Sequence, residues 1–567
     1  MGVRRAVEMT LGLVRQTEKG IATFGPLIHN PQVLEMLKDR GVRILSTIPE
    51  KNDGTILIRA HGVPPQQKEK LMATGAHVED ATCPRVLKVQ AIIRKYGKLG
   101  YTTIIIGDCK HAEVEGLMGY AGEKGFVVSS EADIDHLELQ GPYIIVSQTT
   151  QDQRTFDTLS SVILDKFPEG RVFNTICDST HKRQASVIEL CDQVQAMVVV
   201  GGKSSANTKR LGEIVENRGR PVFMVETEDE LNFAKLEQYD CVGVTAGAST
   251  PSWMINRVVR ALESMPGADD SLPKKISFKF ISFILASNLL VSIGGACLAY
   301  ATSLLQAIEP SAVHIYIVFS YLFAMHNLNR FVRGSMEKFR DPFRDMYARK
   351  FRLPLLVIST LLLSAALYLS VGIGTGTFLL LLVLSVLGFF YRIPFMPKSL
   401  SGGVFGIRRL KEIPGSRTFF VSAAWAVVIV LLPAREIISF SDSDRWAVFF
   451  FVLSLVFIRS AFLDVFEIQE DRMLGRETLP VLIGRTKTLR LLYFLAGAVF
   501  FMLLVLPAIG AMSHTAYWIS PALFYLLGVI VFYEKGLIKQ GMKLEISLDF
   551  VFILIFLLAV LQTLSIL

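Results

Sequence analysis

The sequence predicts two unlike folds in one chain: an α/β unit in the first half, then an all-α polytopic membrane unit of about nine helices. Three observations carry this. Residues 1–265 mix charge, glycine and short apolar runs, whereas long apolar stretches dominate from Ile276 onward. Between them, residues 266–275 (PGADDSLPKK) break both patterns with proline, glycine and charge, and read as a linker. At 567 residues the chain is also too long for one ordinary domain.

Within the first half, residues 101–107, 143–146, 197–200 and 222–225 are short apolar runs of the kind buried parallel strands show. Helical patterns separate them, for example over 183–194. Each run ends in a polar loop, where open α/β sheets collect their ligands. These loops are His111-Ala112-Glu113-Val114-Glu115-Gly116, Ser147-Gln148-Thr149-Thr150, Gly201 through Thr208, and Thr245 through Pro251. Two polar turns precede them, Gly25-Pro26-Leu27-Ile28-His29-Asn30 and Arg59-Ala60-His61-Gly62-Val63-Pro64-Pro65. Glycine allows close backbone approach, and Ser, Thr, Asn and His supply donors. Together they suit an oxyanion with many acceptors, such as a diphosphate. Gly201-Gly202-Lys203-Ser204 alone is not a P-loop, because the upstream glycine and the spacing are wrong.

In the second half, apolar stretches at 280–305, 315–325, 353–373, 377–391, 418–432, 446–462, 491–511, 517–533 and 546–567 are the expected spans. Lys and Arg concentrate in the loops at 326–352, 392–417, 464–490 and 534–545, and are almost missing from 306–314 and 370–376. This positive-inside pattern predicts a multi-pass inner-membrane protein with its N-terminal half in the cytoplasm. The net charge of +8 then reflects topology and attraction to an anionic leaflet, and gives no reason to expect nucleic acid. For the six cysteines, a cytosolic setting makes disulfides the poor expectation and metal binding, catalysis or plain burial the better ones.

Asp464, Glu467 and Asp471 recur at i, i+3 and i+7, which would put three carboxylates on one helical face at the cytosolic end of a span. Such a cluster is costly unless it binds cations, and Mg²⁺ bridging to a diphosphate is the obvious use.

The polar loops, taken in order with Asp80-Ala81-Thr82-Cys83-Pro84 and Asn174-Thr175-Ile176-Cys177-Asp178, resemble the motifs of the LytB family, 4-hydroxy-3-methylbut-2-enyl diphosphate reductases, over about 250 residues. The resemblance implies a three-lobed α/β iron–sulfur reductase that turns this substrate into isopentenyl and dimethylallyl diphosphates. It implies that Cys83 and Cys177 ligate a [4Fe–4S] cluster. His29, His61, His111, Ser205, Asn207 and Ser249 would bind the diphosphate. Glu113 would be the proton source, with Thr149 and Gln148 beside it, and a ferredoxin or flavodoxin would supply electrons. The chemistry stands without the name, since removing an allylic hydroxyl takes two electrons and an acid. Met1-Gly2-Val3-Arg4-Arg5-Ala6 resembles the tail of a Cys-x-Gly-Val-x-Arg-Ala motif, so the third cysteine would stand immediately before Met1. A translation start further upstream is expected to supply it. The alternative is a diphosphate-binding module without a cluster. Ala206, where the family more often has a second Ser, and Gln90, where a His is common, are milder departures.

The stretch from Asp464 through Thr478-Leu479-Pro480, with the basic loop from Arg408 to Arg417, resembles UbiA-like membrane prenyltransferases. The resemblance implies prenyl diphosphate substrates and Mg²⁺. The family's first aspartate motif is altered: counting from Asn329, Arg333 stands where an Asp is expected and Glu337 where the second would be. A catalytically inactive membrane anchor is the alternative for this half.

Overall fold

The structure is a computed structural model that describes residues 2–16, 20–139, 141–263, 265, 272–331, 350–390, 415–432, 443–468, 471, 477–538 and 541–566. The chain divides into two compact units, Met1–Asp269 and Asp270–Leu567.

The first unit holds three parallel sheets, one per lobe. Lobe one comprises α1 (Gly2–Gln16), β1 (Ile21–Phe24), α2 (Pro31–Lys38), β2 (Arg43–Leu45), β3 (Thr55–Ile58), α3 (Pro65–Ala73) and β4 (His77–Asp80), with strand order β2-β1-β3-β4. Next come α4 (Pro84–Lys98), β5 (Thr102–Ile106), α5 (Ala112–Ala121), β6 (Gly125–Val128), α6 (Glu131–Ile134), β7 (Tyr143–Ser147), α7 (Gln153–Lys166) and β8 (Gly170–Val172), ordered β6-β5-β7-β8. The third lobe contains α8 (Asp178–Gln193), β9 (Ala196–Val200), α9 (Ala206–Asn217), β10 (Val222–Val225), α10 (Phe233–Leu236), β11 (Val242–Ala246) and α11 (Ser252–Glu263), ordered β10-β9-β11.

The central strands form because their side chains are β-branched or apolar at every position but Ser147: β5 reads TTIII, β7 YIIVS and β9 AMVVV, and all are wholly buried. Helices cover both faces of the second and third sheets, which gives each lobe paired cores. Ile104, Ile106 and Ile145 pack with Phe156 and Ile163, while Ile105, Ile144 and Val146 pack with Val89, Ile93 and Val114. Helix starts are fixed locally. Asn30 accepts from Val33 N, Asp152 accepts from Thr155 N, and proline opens α2, α3 and α4.

The second unit is helical: α12 (Leu272–Ala286), α13 (Leu289–Leu305), α14 (Ala312–Phe331), α15 (Arg352–Ile373), α16 (Thr375–Phe390), α17 (Ser416–Ala426) running into a π turn at Val427–Leu431, α18 (Ser443–Phe466), α19 (Leu479–Ile483), α20 (Arg485–Ala508), α21 (Thr515–Ile519), α22 (Pro521–Glu534) and α23 (Met542–Ile566). Leu272–Lys275, expected in the linker, are the first turn of α12.

Among the described residues, five helices are long and apolar enough to cross a membrane, and the bent pair α12–α13 would make a sixth. Two shorter apolar helices, Thr375–Phe389 and Ser416–Leu431, fall at expected spans. The pair bends by 66° at Asn288, which has the left-handed φ of 59° that asparagine tolerates. The carbonyls freed there are satisfied from α14. Asn327 Nδ2 donates to Ser287 O, and Arg330 Nη1 donates to Ala286 O. Polar residues placed on α14 for this purpose lower its hydropathy, so the helix reads less clearly as a span.

Candidate functional site

In the first unit three imidazoles converge from three loops. His29 follows β1, His61 follows β3 and His111 follows β5. Their ring centroids are 4.7 Å (His29–His61), 5.4 Å (His61–His111) and 5.9 Å (His29–His111) apart. One ring nitrogen from each lies within 4.8 Å of the others, close enough for a metal ion. The tautomer of His111 points to a different ligand. Its Nδ1 caps α5 by accepting from Glu113 N at 3.1 Å, so in the neutral ring the proton sits on Nε2, which is then a donor. Donors suit an oxyanion.

All three imidazoles are held toward the neutral form. Burial pulls His29 down, with a smaller push from Arg59. Burial holds His61 well below its ordinary value, reinforced by His29, His111 and Arg59. Burial also takes His111 down to about 4, with His29 adding, Asp108 opposing and Arg59 adding less.

The third lobe faces this cluster with small polar groups. Ser205 stands at the N-cap position of α9, and Ser249 Oγ lies 3.4 Å from both Ser205 Oγ and His29 O. Asn207 is buried with neither end of its amide satisfied, and Thr208 Oγ1 and His61 Nδ1 are likewise buried without a partner. Buried polar atoms left orphaned imply a ligand that completes them. Gly202 permits the close approach, since a Cβ there would sit 2.7 Å from His29 O.

Glu113, on the first turn of α5, is wholly buried. Thr149 N donates to one of its oxygens at 2.7 Å and Thr149 Oγ1 to the other at 2.9 Å. Burial nevertheless pushes its pKa up to about 7, against the lowering effect of both Thr149 bonds. Gln148 braces two loops: its Oε1 accepts from Asp108 N and its Nε2 donates to Thr150 Oγ1. Arg59 and Thr208 were missed at sequence level. Arg59 was visible beside His61 in the same turn, but nothing marked its charge as felt by all three histidines.

Cys83 and Cys177 occupy the N-cap positions of α4 and α8, and neither is in a disulfide. Cys83 N donates to Ala60 O, beside His61, and Cys177 N donates to Thr149 O, beside Glu113. An ion pair between Arg85 and Asp178 ties the two helix starts together. The start of α1 also reaches this place, because a Cβ on Gly2 would lie 2.3 Å from Cys83 Sγ.

In the second unit the regular helix α18 ends at Phe466 and Glu467 makes a turn, after which Ile468 and Asp471 are helical again. Glu467 N donates to Asp464 O, three residues back, and Asp471 N donates to Glu467 O with the four-residue spacing of a helix. The three carboxylates still converge, one oxygen from each within 4.8 Å of the others. Thr418 donates to Asp464 at 2.6 Å, Thr478 donates to Asp471 at 3.0 Å, and Arg417 lies 3.7 Å from Asp464 and 3.6 Å from Glu467. Arg333, Glu337 and the loop from Arg408 to Pro414 lie outside the described residues.

The fold and sites define an α/β unit with a buried acid beside an oxyanion pocket, joined in one chain to a helical membrane unit. The family model of the LytB protein matches residues 1–263, and that of the UbiA prenyltransferase family matches residues 348–558. The 4-hydroxy-3-methylbut-2-enyl diphosphate reductase of Geobacter metallireducens is 40% identical over 273 residues, covering 48% of this chain and 95% of that protein. The same enzyme of Pelobacter propionicus is 41% identical over 258 residues, covering 46% and 92%. Among solved structures, the corresponding reductase of Plasmodium falciparum has 26% identity and a TM-score of 0.45, covering 49% of this chain and 93% of that one. A UbiA homolog from Aeropyrum pernix K1 has 13% identity and a TM-score of 0.36, covering 48% and 98%. The chain belongs to the LytB family through its first unit, and a UbiA prenyltransferase domain is fused behind it.

Proposed function

We propose that the first unit reduces 4-hydroxy-3-methylbut-2-enyl diphosphate to isopentenyl and dimethylallyl diphosphates, and that the membrane unit transfers prenyl groups. The observation that carries the reductase reading is the buried Glu113, its pKa raised to about 7, at a pocket of buried polar atoms that lack partners.

The cysteines fit an iron–sulfur cluster. Two thiols at the positive ends of two helices, tied by the Arg85–Asp178 pair, are soft donors placed where negative charge is favoured. The start of α1, pressed on Cys83, is the direction from which a third thiolate would come. When bound, the cluster would pass on two electrons one at a time, re-reduced by its carrier in between. The three histidines, Ser205, Asn207, Thr208 and Ser249 hold the diphosphate and fix the allylic end. Glu113 gives its proton to the departing hydroxyl, which leaves as water, and Thr149 steadies the carboxylate that remains. The two electrons and a second proton complete the product. A small one-electron carrier such as ferredoxin or flavodoxin supplies the electrons.

In the membrane unit, Asp464, Glu467 and Asp471 would hold Mg²⁺ against a prenyl diphosphate. Counting the bent pair and adding α14, α16 and α17 to the five long helices brings the spans to nine. The charge pattern of the loops then puts the first unit on the cytoplasmic side of the inner membrane.

Iron and sulfide content and EPR of the reduced protein test the reading, on protein translated anaerobically from Met1 and from the nearest upstream in-frame start. About four irons, together with substrate reduction, in the longer form support it. A longer form without a cluster would leave a binding module and defeat the reductase reading.

A further inference from the structure

Two buried donors on α8 have no use in the account above. Arg183 Nη1 and Gln184 Nε2 are both shielded from solvent and have no hydrogen-bond partner. They lie six and seven residues past Cys177, the N-cap of the same helix. Seven residues are close to two helical turns, so Gln184 leaves α8 on nearly the same face as Cys177, with buried Thr180 between them. Helical side chains lean toward the N-terminus, which carries Gln184 back along that face, while Arg183 leaves the helix about 120° away from it. Arg183 lies within electrostatic reach of the Cys177 sulfur.

Buried N–H groups without a protein acceptor call for an acceptor that is not protein. Next to Cys177 the fitting acceptors are thiolate and sulfide sulfur. We propose that Arg183 and Gln184 are positioning residues whose N–H groups donate to the sulfur atoms of the cluster held by Cys177 and raise its reduction potential. This rests on the reductase reading above. Each electron added to the cluster increases its negative charge. A guanidinium and an amide N–H, fixed in a site with little water, therefore stabilise the reduced state more than the oxidised one. The N-terminus of α8 acts in the same sense.

The test uses the full chain in its cluster-bearing form, with Arg183→Met, Arg183→Lys and Gln184→Met. Iron and sulfide are counted first, then the midpoint potential is measured by EPR-monitored titration, and inorganic diphosphate binding is measured alongside. Intact clusters with a more negative midpoint in Arg183→Met and Gln184→Met, a smaller shift in Arg183→Lys, and unchanged diphosphate affinity support the proposal. Intact clusters with unmoved midpoints overturn it, as does a loss of diphosphate binding without a shift. Where a variant assembles no cluster, the unsubstituted protein exchanged into D₂O decides. Exchangeable deuterons coupled to the cluster by ENDOR support the proposal, and their absence overturns it. A full-length protein without any cluster overturns both this proposal and the reductase reading.

Discussion

Thr149 grips both carboxylate oxygens of Glu113, one through its backbone N–H at 2.7 Å and the other through Oγ1 at 2.9 Å. These bonds favour the ionised form, yet burial outweighs them and raises the pKa from 4.5 to about 7. The acid is thus kept close to an even balance at neutral pH, which is where a general acid is most useful. Glu113→Gln should lower turnover by roughly 10²- to 10⁴-fold while inorganic diphosphate still binds. Thr149→Val removes one bond that lowers the pKa, so the alkaline limb of the pH–rate profile should move upward. A limb that stays in place would show that another group sets it.

The same shift has a consequence for stability. A folded-state pKa raised to about 7 gives a contribution to folding that is present in full below 4.5 and is lost as the pH rises through about 7. Glu113→Gln carries no such group. Relative to the unsubstituted protein it should gain stability between those pH values and stay level above them, by at most about 3 kcal/mol. Urea unfolding followed through a signal from the first unit at several pH values reads the difference.

His111 has two tasks that a substitution can separate. Its Nδ1 caps α5, and its Nε2–H is left for the ligand. Asparagine also caps helices, so His111→Asn should keep the stability that His111→Ala loses, about 1 kcal/mol. Both should weaken inorganic diphosphate binding by roughly tenfold or more, as expected when a hydrogen bond to a charged group is removed. The neutral state of the free imidazoles adds a pH effect. An anion bound among them favours their protonation, so binding should take up protons and tighten as the pH falls. Calorimetry in two buffers of different ionisation heat counts the protons, and a count of zero would contradict the charge argument.

Much of this was legible before any coordinates. The β-branched runs of β5 and β9 announce buried parallel strands, and the loops that follow β5, β7 and β9 carry the site residues. What the sequence left open depends on closure in space. Arg59 bears on three histidines because loops after β1, β3 and β5 meet, and no local pattern states that meeting. Gln148 looks like its neighbour Thr149 in the chain, but only the fold turns its amide toward Asp108 and Thr150. In the membrane unit, periodicity put Asp464, Glu467 and Asp471 on one unbroken helix, whereas α18 is interrupted at Glu467 before helical backbone returns at Ile468 and Asp471, and the three carboxylates still meet. The bend at Asn288 was hidden because its partners, Asn327 and Arg330, belong to another helix.

Gly202 meets the backbone of His29 rather than a flexible side chain. A Cβ 2.7 Å from a carbonyl oxygen forces the first and third lobes to shift at the site. Gly202→Ala should therefore cost about 1–3 kcal/mol, as overpacking does. It should also weaken inorganic diphosphate binding more than Gly12→Ala, where a Cβ meets nothing within 4 Å. Equal affinities for the two variants would remove the close approach from the account of the site.

Asp464 and Asp471 are each held by a threonine hydroxyl, and one oxygen of each lies within 4.8 Å of a Glu467 oxygen. If the trio holds Mg²⁺, Asp464→Asn and Asp471→Asn should abolish prenyl transfer and raise the Mg²⁺ concentration needed for prenyl diphosphate binding. Transfer that survives both substitutions would remove the trio from the account of prenyl transfer.

Arg459 and Asp549 form a buried pair between α18 and α23, with Arg459 Nε and Nη2 both 2.7 Å from one Asp549 oxygen. Their side chains are 14% and 5% exposed, on two of the helices apolar enough to span a membrane. Charges in such a place are tolerated only as a pair. Removing one partner leaves the other buried and uncompensated, which costs about 3–5 kcal/mol in soluble proteins. Arg459→Leu and Asp549→Leu should each lower the thermal stability of the detergent-solubilised protein strongly. The double variant should recover most of the loss, because an apolar pair removes the desolvation cost along with the attraction. If the double variant is as unstable as the sum of the singles, each residue acts through other contacts and the pair is not what joins the two helices.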